Sequence, residues 1–202
     1  MRTIATLTDQ TILGLPGLST AAPRLTARAV VQRADGLYAV MYARKFDLHT
    51  LPGGGMDPCE SPKAALRREL LEETGCACET ITPIGIVEEK RGHADYTQRS
   101  WYFFVTTGGT ENATSLTADE AANGACVQWC TWEEMVERIC GPVRQTNQQK
   151  FLQARDKAAL EALASAKKKT GLALITSPNR SISLPAGDHR SPLQYTHSRA
   201  AQ

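Results

Sequence analysis

Three consecutive glycines, Gly53 to Gly55, constrain this chain more than any other feature of its sequence. A glycine run continues neither a strand nor a helix well, so it predicts a loop. Downstream, Ser61 is a favourable N-cap, Pro62 suits the first helical position, and Gly75 suits a left-handed C-terminal cap. The sequence therefore predicts a loop followed by a helix whose two ends are both fixed.

Three glutamates lie on one side of this predicted helix. At about 100° per residue, Glu69, Glu72 and Glu73 fall within an arc of about 100°. Glu69 and Glu73 form an i, i+4 pair of like charges, which weakens an isolated helix by roughly 0.2–0.5 kcal/mol. A divalent cation between the carboxylates would remove that repulsion, and hard oxygen ligands favour Mg²⁺ or Mn²⁺ over zinc. On clustering alone, a solvated charged helix face remains the alternative.

The flanking sequence predicts a mixed α/β domain. Asp35-Gly36 between two β-rich runs is a strong hairpin signal, and Thr131 to Glu134 forms a capping box. We expect Leu66 and Leu70 to pack on one face of the glutamate helix, and Ala64 and Leu71 on the opposite one. The predicted strands are 25–34, 37–45, 81–91, 100–107 and 126–130, and the further helices are 131–139 and 145–169.

The spacing within the glutamate segment resembles the Nudix box, G-x5-E-x7-R-E-U-x-E-E-x-G-U, in which U is a bulky aliphatic residue. The matching residues are Gly54, Glu60, Arg68, Glu69, Leu70, Glu72, Glu73 and Gly75. Cys76 departs from the pattern at the final U, where cysteine packs as a small hydrophobe. The resemblance covers roughly residues 24–140. It implies an α/β/α sandwich with a mixed β-sheet, in which the box forms a catalytic loop–helix–loop.

The resemblance also implies the roles of the box residues. Glu69, Glu72 and Glu73 would bind Mg²⁺ or Mn²⁺, and one of them, or a metal-bound water, would serve as base. Glu60 would support the metal site through a water or the metal itself, and the Gly53 carbonyl would be a further ligand. The Arg68 guanidinium would hold the carboxylates in place. The implied activity is hydrolysis of a pyrophosphate bond in a nucleoside diphosphate linked to a moiety X. A catalytically silent module that binds a nucleotide is the alternative.

Acidic and aromatic residues outside the box have two interpretations each. Asp119 and Glu120 lie in a stretch where many family members place another acidic ligand, but they also suit the start of a helical turn. Trp101 and Tyr102 could stack on a base, although alternating aromatic residues in a strand usually belong to the core. The sequence leaves these alternatives open.

Basic residues near the predicted link 92–98 are candidates for substrate binding. Arg91, His93 and Arg99 could contact phosphate, and solvated loop charges are the other interpretation. The sequence motifs that mark known substrates in the family are missing from this chain, so the sequence does not identify X.

Composition bounds the remaining classes of function. The chain has 23 Lys and Arg against 21 Asp and Glu, a net charge of +2, which predicts neither a nucleic-acid nor a membrane partner. We expect a lead-in with one edge strand over 1–22, a catalytic domain over 23–169 and a disordered tail over 170–202. The six cysteines form no CxxC pair, and they suit free thiols in a cytoplasmic protein. Metal binding by the CxC at 76–78 and the CxxxC at 126–130 is the alternative. The predicted partner is a small nucleotide-type substrate, with a homodimer left open.

Overall fold

The computed structural model describes residues 1–170. The tail predicted over 170–202 therefore lies outside the described residues, apart from Thr170, which ends the last helix. Within residues 1–170 the chain forms both β-strands and α-helices. The strands are β1 Thr3–Thr8, β2 Arg24–Arg33, β3 Tyr38–Ala43, β4 Leu48–Thr50, β5 Gly53–Gly55, β6 Cys76–Arg91, β7 Tyr96–Glu111 and β8 Ala125–Cys130. The α-helices are α1 Asp9–Leu13, α2 Pro62–Thr74, α3 Ala118–Ala122, α4 Trp132–Cys140 and α5 Asn147–Thr170.

One mixed sheet organises these elements. Its strand order is β1-β6-β7-β2-β3-β4, with β5 paired to β2 and β8 paired to β3. β1 runs parallel to β6, and β2 parallel to β7, whereas the other pairs are antiparallel. Side chains of β2 alternate between the two faces. Ala29 packs with Leu66 and Leu70 of α2, and Val30 packs with Phe151 of α5. The predicted α/β/α sandwich with a mixed sheet is confirmed.

Local signals placed the turns correctly. Gln32 pairs with Tyr38 across the predicted hairpin, and the Leu37 N–H donates to the Asp35 carboxylate at 3.1 Å. The prediction of two packed faces on α2 is wrong in one respect. Leu71 is 45% exposed and Ala64 is also exposed, so α2 has a single apolar face against the sheet.

The glycine run forms a short strand and not the predicted loop. Gly53 and Gly54 pair with Arg28 and Ala27 of β2. A Cβ on Gly53 would meet the Ala27 carbonyl oxygen, so only glycine allows the two backbones to approach this closely. The glycine run can therefore pair with β2 because it has no side chains that would collide with that strand.

The first residues extend the sheet beyond its predicted start. The edge strand expected within 1–22 is present as β1, and it is followed by the short helix α1, which the sequence analysis did not predict. Thr8 caps α1 through its side chain. β6 and β7 are also longer than the predicted strands 81–91 and 100–107, because they pair almost continuously from Cys76 to Glu111.

The six cysteines are all free, and only Cys59 is exposed. Across residues 1–170, no helix combines the length and hydrophobicity that crossing a membrane would require.

Candidate active site

Helix α2 holds the glutamates at a fixed position beside β5. Ser61 accepts a hydrogen bond from the Ala64 N–H at 3.2 Å, and the Gly75 N–H donates to the Leu71 carbonyl at 3.0 Å. Both predicted helix ends are thus confirmed. With its apolar face anchored on the sheet, α2 directs its acidic side chains into a cleft of about 490 Å³ that is also lined by the glycine strand.

Arg68 links the acidic residues of the box. Its guanidinium donates to both oxygens of Glu60 at 3.0 and 3.3 Å, and to Glu69 at 2.9 Å. A longer bond of 3.4 Å reaches Glu72, and one of 2.9 Å reaches the Gly55 carbonyl. One planar, five-donor group therefore fixes three carboxylates and the glycine strand, which is the geometry that guanidinium forks supply.

Glu73 lies at the closed end of the cleft. It is 7% exposed, and its carboxylate accepts a hydrogen bond from the Gly53 N–H at 2.5 Å. Glu69 is nearly as enclosed, with 12% of its side chain exposed. A Cβ on Gly54 would overlap the Glu69 carboxylate. The glycine run thus leaves room for the carboxylates as well as for the sheet.

Burial raises the pKa values of the carboxyl groups in the cleft, whereas nearby arginines lower them. Burial raises the pKa of Glu73 to about 7, against the favourable charge of Arg28 and the Gly53 hydrogen bond. Burial also raises the pKa of Glu69, although the bond from Arg68 acts against it. At Glu60 the hydrogen bond from Arg68 lowers the pKa. The cleft therefore holds carboxylates that gain from a nearby cation.

The donor set suits a hard divalent cation, but the present positions do not yet form a binding cage. Within residues 1–170, no three His, Cys, Asp or Glu side chains stand close enough to hold a metal ion together. Glu69 and Glu72 are engaged with Arg68, while Glu73 faces the same cleft without an ion-pair partner among the described residues. The carboxylate oxygens that line the cleft fit Mg²⁺ or Mn²⁺ in chemical type.

The acidic residues before β8 divide between the two interpretations. Glu120 lines the cleft, and its charge contributes to the raised pKa of Glu73. It also forms the capping box of α3 with Thr117, accepting from the Thr117 N–H at 2.8 Å. Asp119 is exposed and does not line the cleft. Both residues start a helical turn, and only Glu120 faces the carboxylates.

The structure separates the basic candidates from one another. Arg91 and His93 line a second cavity, described below, that adjoins the glutamate cleft. Arg99 lies outside both cavities and pairs with Glu88 at 2.8 Å.

Three arginines at the cleft, Arg24, Arg28 and Arg155, were missed by the sequence reasoning. Arg24 and Arg28 line it from β2, and Arg155 lines it from α5. Arg28 interrupts an apolar strand, and that interruption was the available signal; Arg155 sits in a lysine-rich helix that offered none. The aromatic candidates belong to the core: Tyr102 is buried and donates to Asp156 at 2.5 Å, and Trp101 packs on the α2 side.

Comparison with known proteins gives the same family as the one that the box resembles. The family model described as the NUDIX domain matches residues 22–152, well over half of the chain. Among curated proteins, the mouse (Mus musculus) diphosphoinositol polyphosphate phosphohydrolases 3-alpha and 3-beta are each 33% identical over 75 residues. That alignment covers 37% of this chain and 44% of each relative, so the chain spans less than half the length of the curated relatives it matches.

Solved structures share the fold. A NUDIX hydrolase from Nitrosomonas europaea superposes with a TM-score of 0.55 at 20% identity, covering 72% of this chain and 91% of that one. The E. coli ORF135 protein superposes with a TM-score of 0.52 at 22% identity, covering 74% and 94%. At these identities the likeness concerns the fold alone.

Proposed function

The chain belongs to the Nudix family, and on that premise we propose that it hydrolyses a pyrophosphate bond in a nucleoside diphosphate linked to a moiety X. The products would be a nucleoside monophosphate and phosphorylated X. The observation that carries the proposal is the set of carboxylates that Arg68 and α2 gather beside the glycine strand. The chain matches its named relatives over too little of their length for their substrates to be transferred.

We assign the metal site to Glu69 and Glu73, with Glu72 sharing the ions and the Gly53 carbonyl as a further ligand. When bound, Mg²⁺ or Mn²⁺ neutralises phosphoryl oxygens and lowers the pKa of bound water. Burial of Glu69 and Glu73 supports this assignment, since two enclosed carboxylates of raised pKa are costly to ionise without a cation.

The remaining box residues would orient the reaction. Arg68 holds Glu69 and Glu72 by hydrogen bonds, so these two carboxylates can position a water for in-line attack on phosphorus. Glu60 acts through Arg68, because its carboxylate accepts two bonds from that guanidinium. It is therefore a positioning residue.

Product analysis tests the reaction class. The purified chain is screened with Mg²⁺ against nucleotide sugars, dinucleotides, nucleoside triphosphates, capped RNA and diphosphoinositol polyphosphates. Hydrolysis in ¹⁸O-labelled water should place one label on a phosphoryl group and none on carbon, and EDTA should abolish turnover. Label on carbon would contradict phosphoryl attack. Nucleotide binding without turnover across the whole panel would replace the hydrolase by a nucleotide-binding module.

A matched pair of variants tests the metal assignment. Glu73→Gln should lower kcat by at least about 10²-fold and weaken Mg²⁺ binding, while circular dichroism shows an intact fold. Glu161→Gln removes an exposed glutamate of α5 far from the box and should leave kcat unchanged. Activity of Glu73→Gln within a few-fold of the parent would refute this ligand set.

A further inference from the structure

The sheet face under α5 is polar at one end, where a sandwich core would be apolar. Arg24 and Thr26 of β2 pair in register with Gln98 and Ser100 of β7. Thr26, Gln98 and Ser100 are buried, and the Thr26 hydroxyl donates to Ser100 at 2.8 Å. This polar row borders a cavity of about 490 Å³, a size typical of sites for small molecules.

Four arginines line this arginine cavity: Arg24, Arg28, Arg91 and Arg155. Two of them are neutralised locally, since Arg91 pairs with buried Glu89 and Arg155 pairs with buried Asp156 at 3.0 Å. The other two have no carboxylate within 4 Å among residues 1–170. Asp156 and Glu73 act on Arg28 only at longer range, so the cavity carries positive charge that no direct ion pair of the described residues neutralises.

Several donors of these arginines are unused. Arg155 is 1% exposed, and its Nη2 has no hydrogen-bond partner among the described residues. The same is true of the buried Nε of Arg28. Burial and the like charge of Arg155 lower the pKa of Arg28. Buried, unpaired donors that repel one another are costly, and an anion bound between them would remove both costs.

A histidine completes the lining. The His93 backbone N–H donates to Asp9 at 2.6 Å, and the ring Nδ1 lies 2.7 Å from the other Asp9 oxygen. Asp9 is fully buried, so it fixes the ring orientation. The imidazole therefore adds a held polar group at the rim of the cavity, with Nε2 as the ring nitrogen left for a ligand.

The arginine cavity and the glutamate cleft adjoin. Arg24, Arg28 and Arg155 line both spaces, and a Cβ on Gly55 would lie 3.4 Å from Arg24 Nη2. A substrate held at the carboxylates can thus extend into the cavity. Asp9, which holds His93, and Arg155 lie outside residues 22–152, the span of the family match, so segments outside that span help to form the cavity.

We propose that the arginine cavity binds a phosphate monoester of the substrate, separate from the diphosphate that is cleaved. This inference rests on the proposed hydrolase function and names the chemical class of its substrate. A phosphate monoester carries close to two negative charges and three acceptor oxygens. It therefore matches the two guanidinium groups without a direct ion pair, and the unused donors of Arg28 and Arg155, better than a carboxylate does.

Substrate pairs that differ by one phosphate test the proposal. Coenzyme A is compared with dephospho-coenzyme A, and NADPH with NADH, while UDP-glucuronate against UDP-glucose provides the carboxylate comparison. In at least one phosphate pair, kcat/KM should be tenfold or more higher for the phosphorylated member. Equal kcat/KM within both phosphate pairs, or a preference confined to the carboxylate pair, would overturn the proposal.

Two exposed arginines on neighbouring strands give a matched test. Arg24 and Gln98 share the cavity side, whereas Arg99 pairs with Leu25 one residue further along and so points away from it. Arg24→Gln should reduce the ratio of kcat/KM between pair members about tenfold, and Arg99→Gln should leave that ratio unchanged. An equal loss for both members of a pair would place Arg24 on the shared diphosphate and refute the proposal.

A binding measurement separates this proposal from the hydrolase function. Inorganic tripolyphosphate is titrated calorimetrically into the full chain in EDTA, where the carboxylates repel an anion and only the arginine cavity attracts it. The parent and Arg99→Gln should bind it with similar Kd, and Arg24→Gln at least about tenfold more weakly. Such binding without any turnover would reject the hydrolase and retain the anion site. Turnover combined with equal binding by all three proteins would reject the anion site and retain the hydrolase.

Discussion

The buried carboxyl of Glu73 makes the stability of the folded protein depend on pH. Its carboxyl is buried, and burial raises its pKa to about 7 in the metal-free protein, whereas an unfolded chain ionises it near 4.3. A raised pKa means that the folded state binds the proton more tightly. The contribution of the protonated Glu73 to the free energy of unfolding is therefore complete below the pKa of the unfolded chain. It is lost as the pH rises through about 7.

Removal of this charge should stabilise the metal-free protein at alkaline pH. In EDTA, Glu73→Gln should raise Tm by a few degrees at pH 8 and change it little at pH 5, because the parent is protonated at the lower pH. Glu72→Gln, at a side chain 38% exposed, is the matched control and should raise Tm at pH 8 by less than Glu73→Gln does. Thermal melts across pH 5–8 measure this, and equal Tm of Glu73→Gln and parent at pH 8 would contradict the assignment.

The absence of a side chain at Gly54 leaves room for the Glu69 carboxylate. A methyl group there would overlap the Glu69 carboxylate, whereas at Gly55 it would meet Arg24 Nη2 at 3.4 Å. Because Glu69 can move aside, Gly54→Ala should keep the fold but lower kcat at least tenfold, and Gly55→Ala should lose much less. Steady-state kinetics with circular dichroism compare the two, and a similar kcat for both variants would argue against Gly54 as the space that Glu69 needs.

At the scale of elements, prediction succeeded for α2, whose end signals are local. Ser61, Pro62 and Gly75 fix the ends of α2 through neighbouring backbone groups, so the sequence alone locates the helix. The glycine strand β5 was predicted as a loop, because its pairing depends on β2, which is distant in sequence. The same reason hides Arg28 and Arg155, whose convergence on the cleft exists only after folding.

Helix α5 offers a test of such a non-local anchor. Asp156 is buried and accepts from the Tyr102 hydroxyl at 2.5 Å and the Leu51 N–H at 2.9 Å, while compensating Arg155. Asp156→Asn leaves that guanidinium uncompensated, and the free energy of unfolding should fall by about 3 kcal/mol or more. Glu161→Gln on the exposed side of α5 should change it by less than about 0.5 kcal/mol. Urea denaturation measures both, and comparable values for the two variants would show that Asp156 is no anchor.

Over the whole molecule, the segments N-terminal and C-terminal to the box pack against one another. β1 joins the sheet edge parallel to β6, and α5 packs across both strands, with Leu7 and Val87 in the same cluster as Leu160. Parallel pairing across such a sequence distance leaves no periodic signal in β1 itself. The resemblance carried by the box therefore predicts catalytic residues but does not extend to the first strand of the sheet.

The N-terminal segment should consequently be part of the folding unit. Deleting residues 1–13 removes β1 and α1, exposes the edge of β6 and removes Asp9, the partner of His93. The free edge offers unpaired backbone groups to other chains, so the truncated protein should melt well below the parent and associate on heating. Leu7→Ala should reproduce part of the Tm loss, since Leu7 is buried, whereas Leu18→Ala, at a side chain 63% exposed, should not. Calorimetry with light scattering measures both effects. A truncated protein with the parent's Tm would mean that the sheet is complete without its first strand, and that Asp9 is not needed to keep the arginine cavity in place.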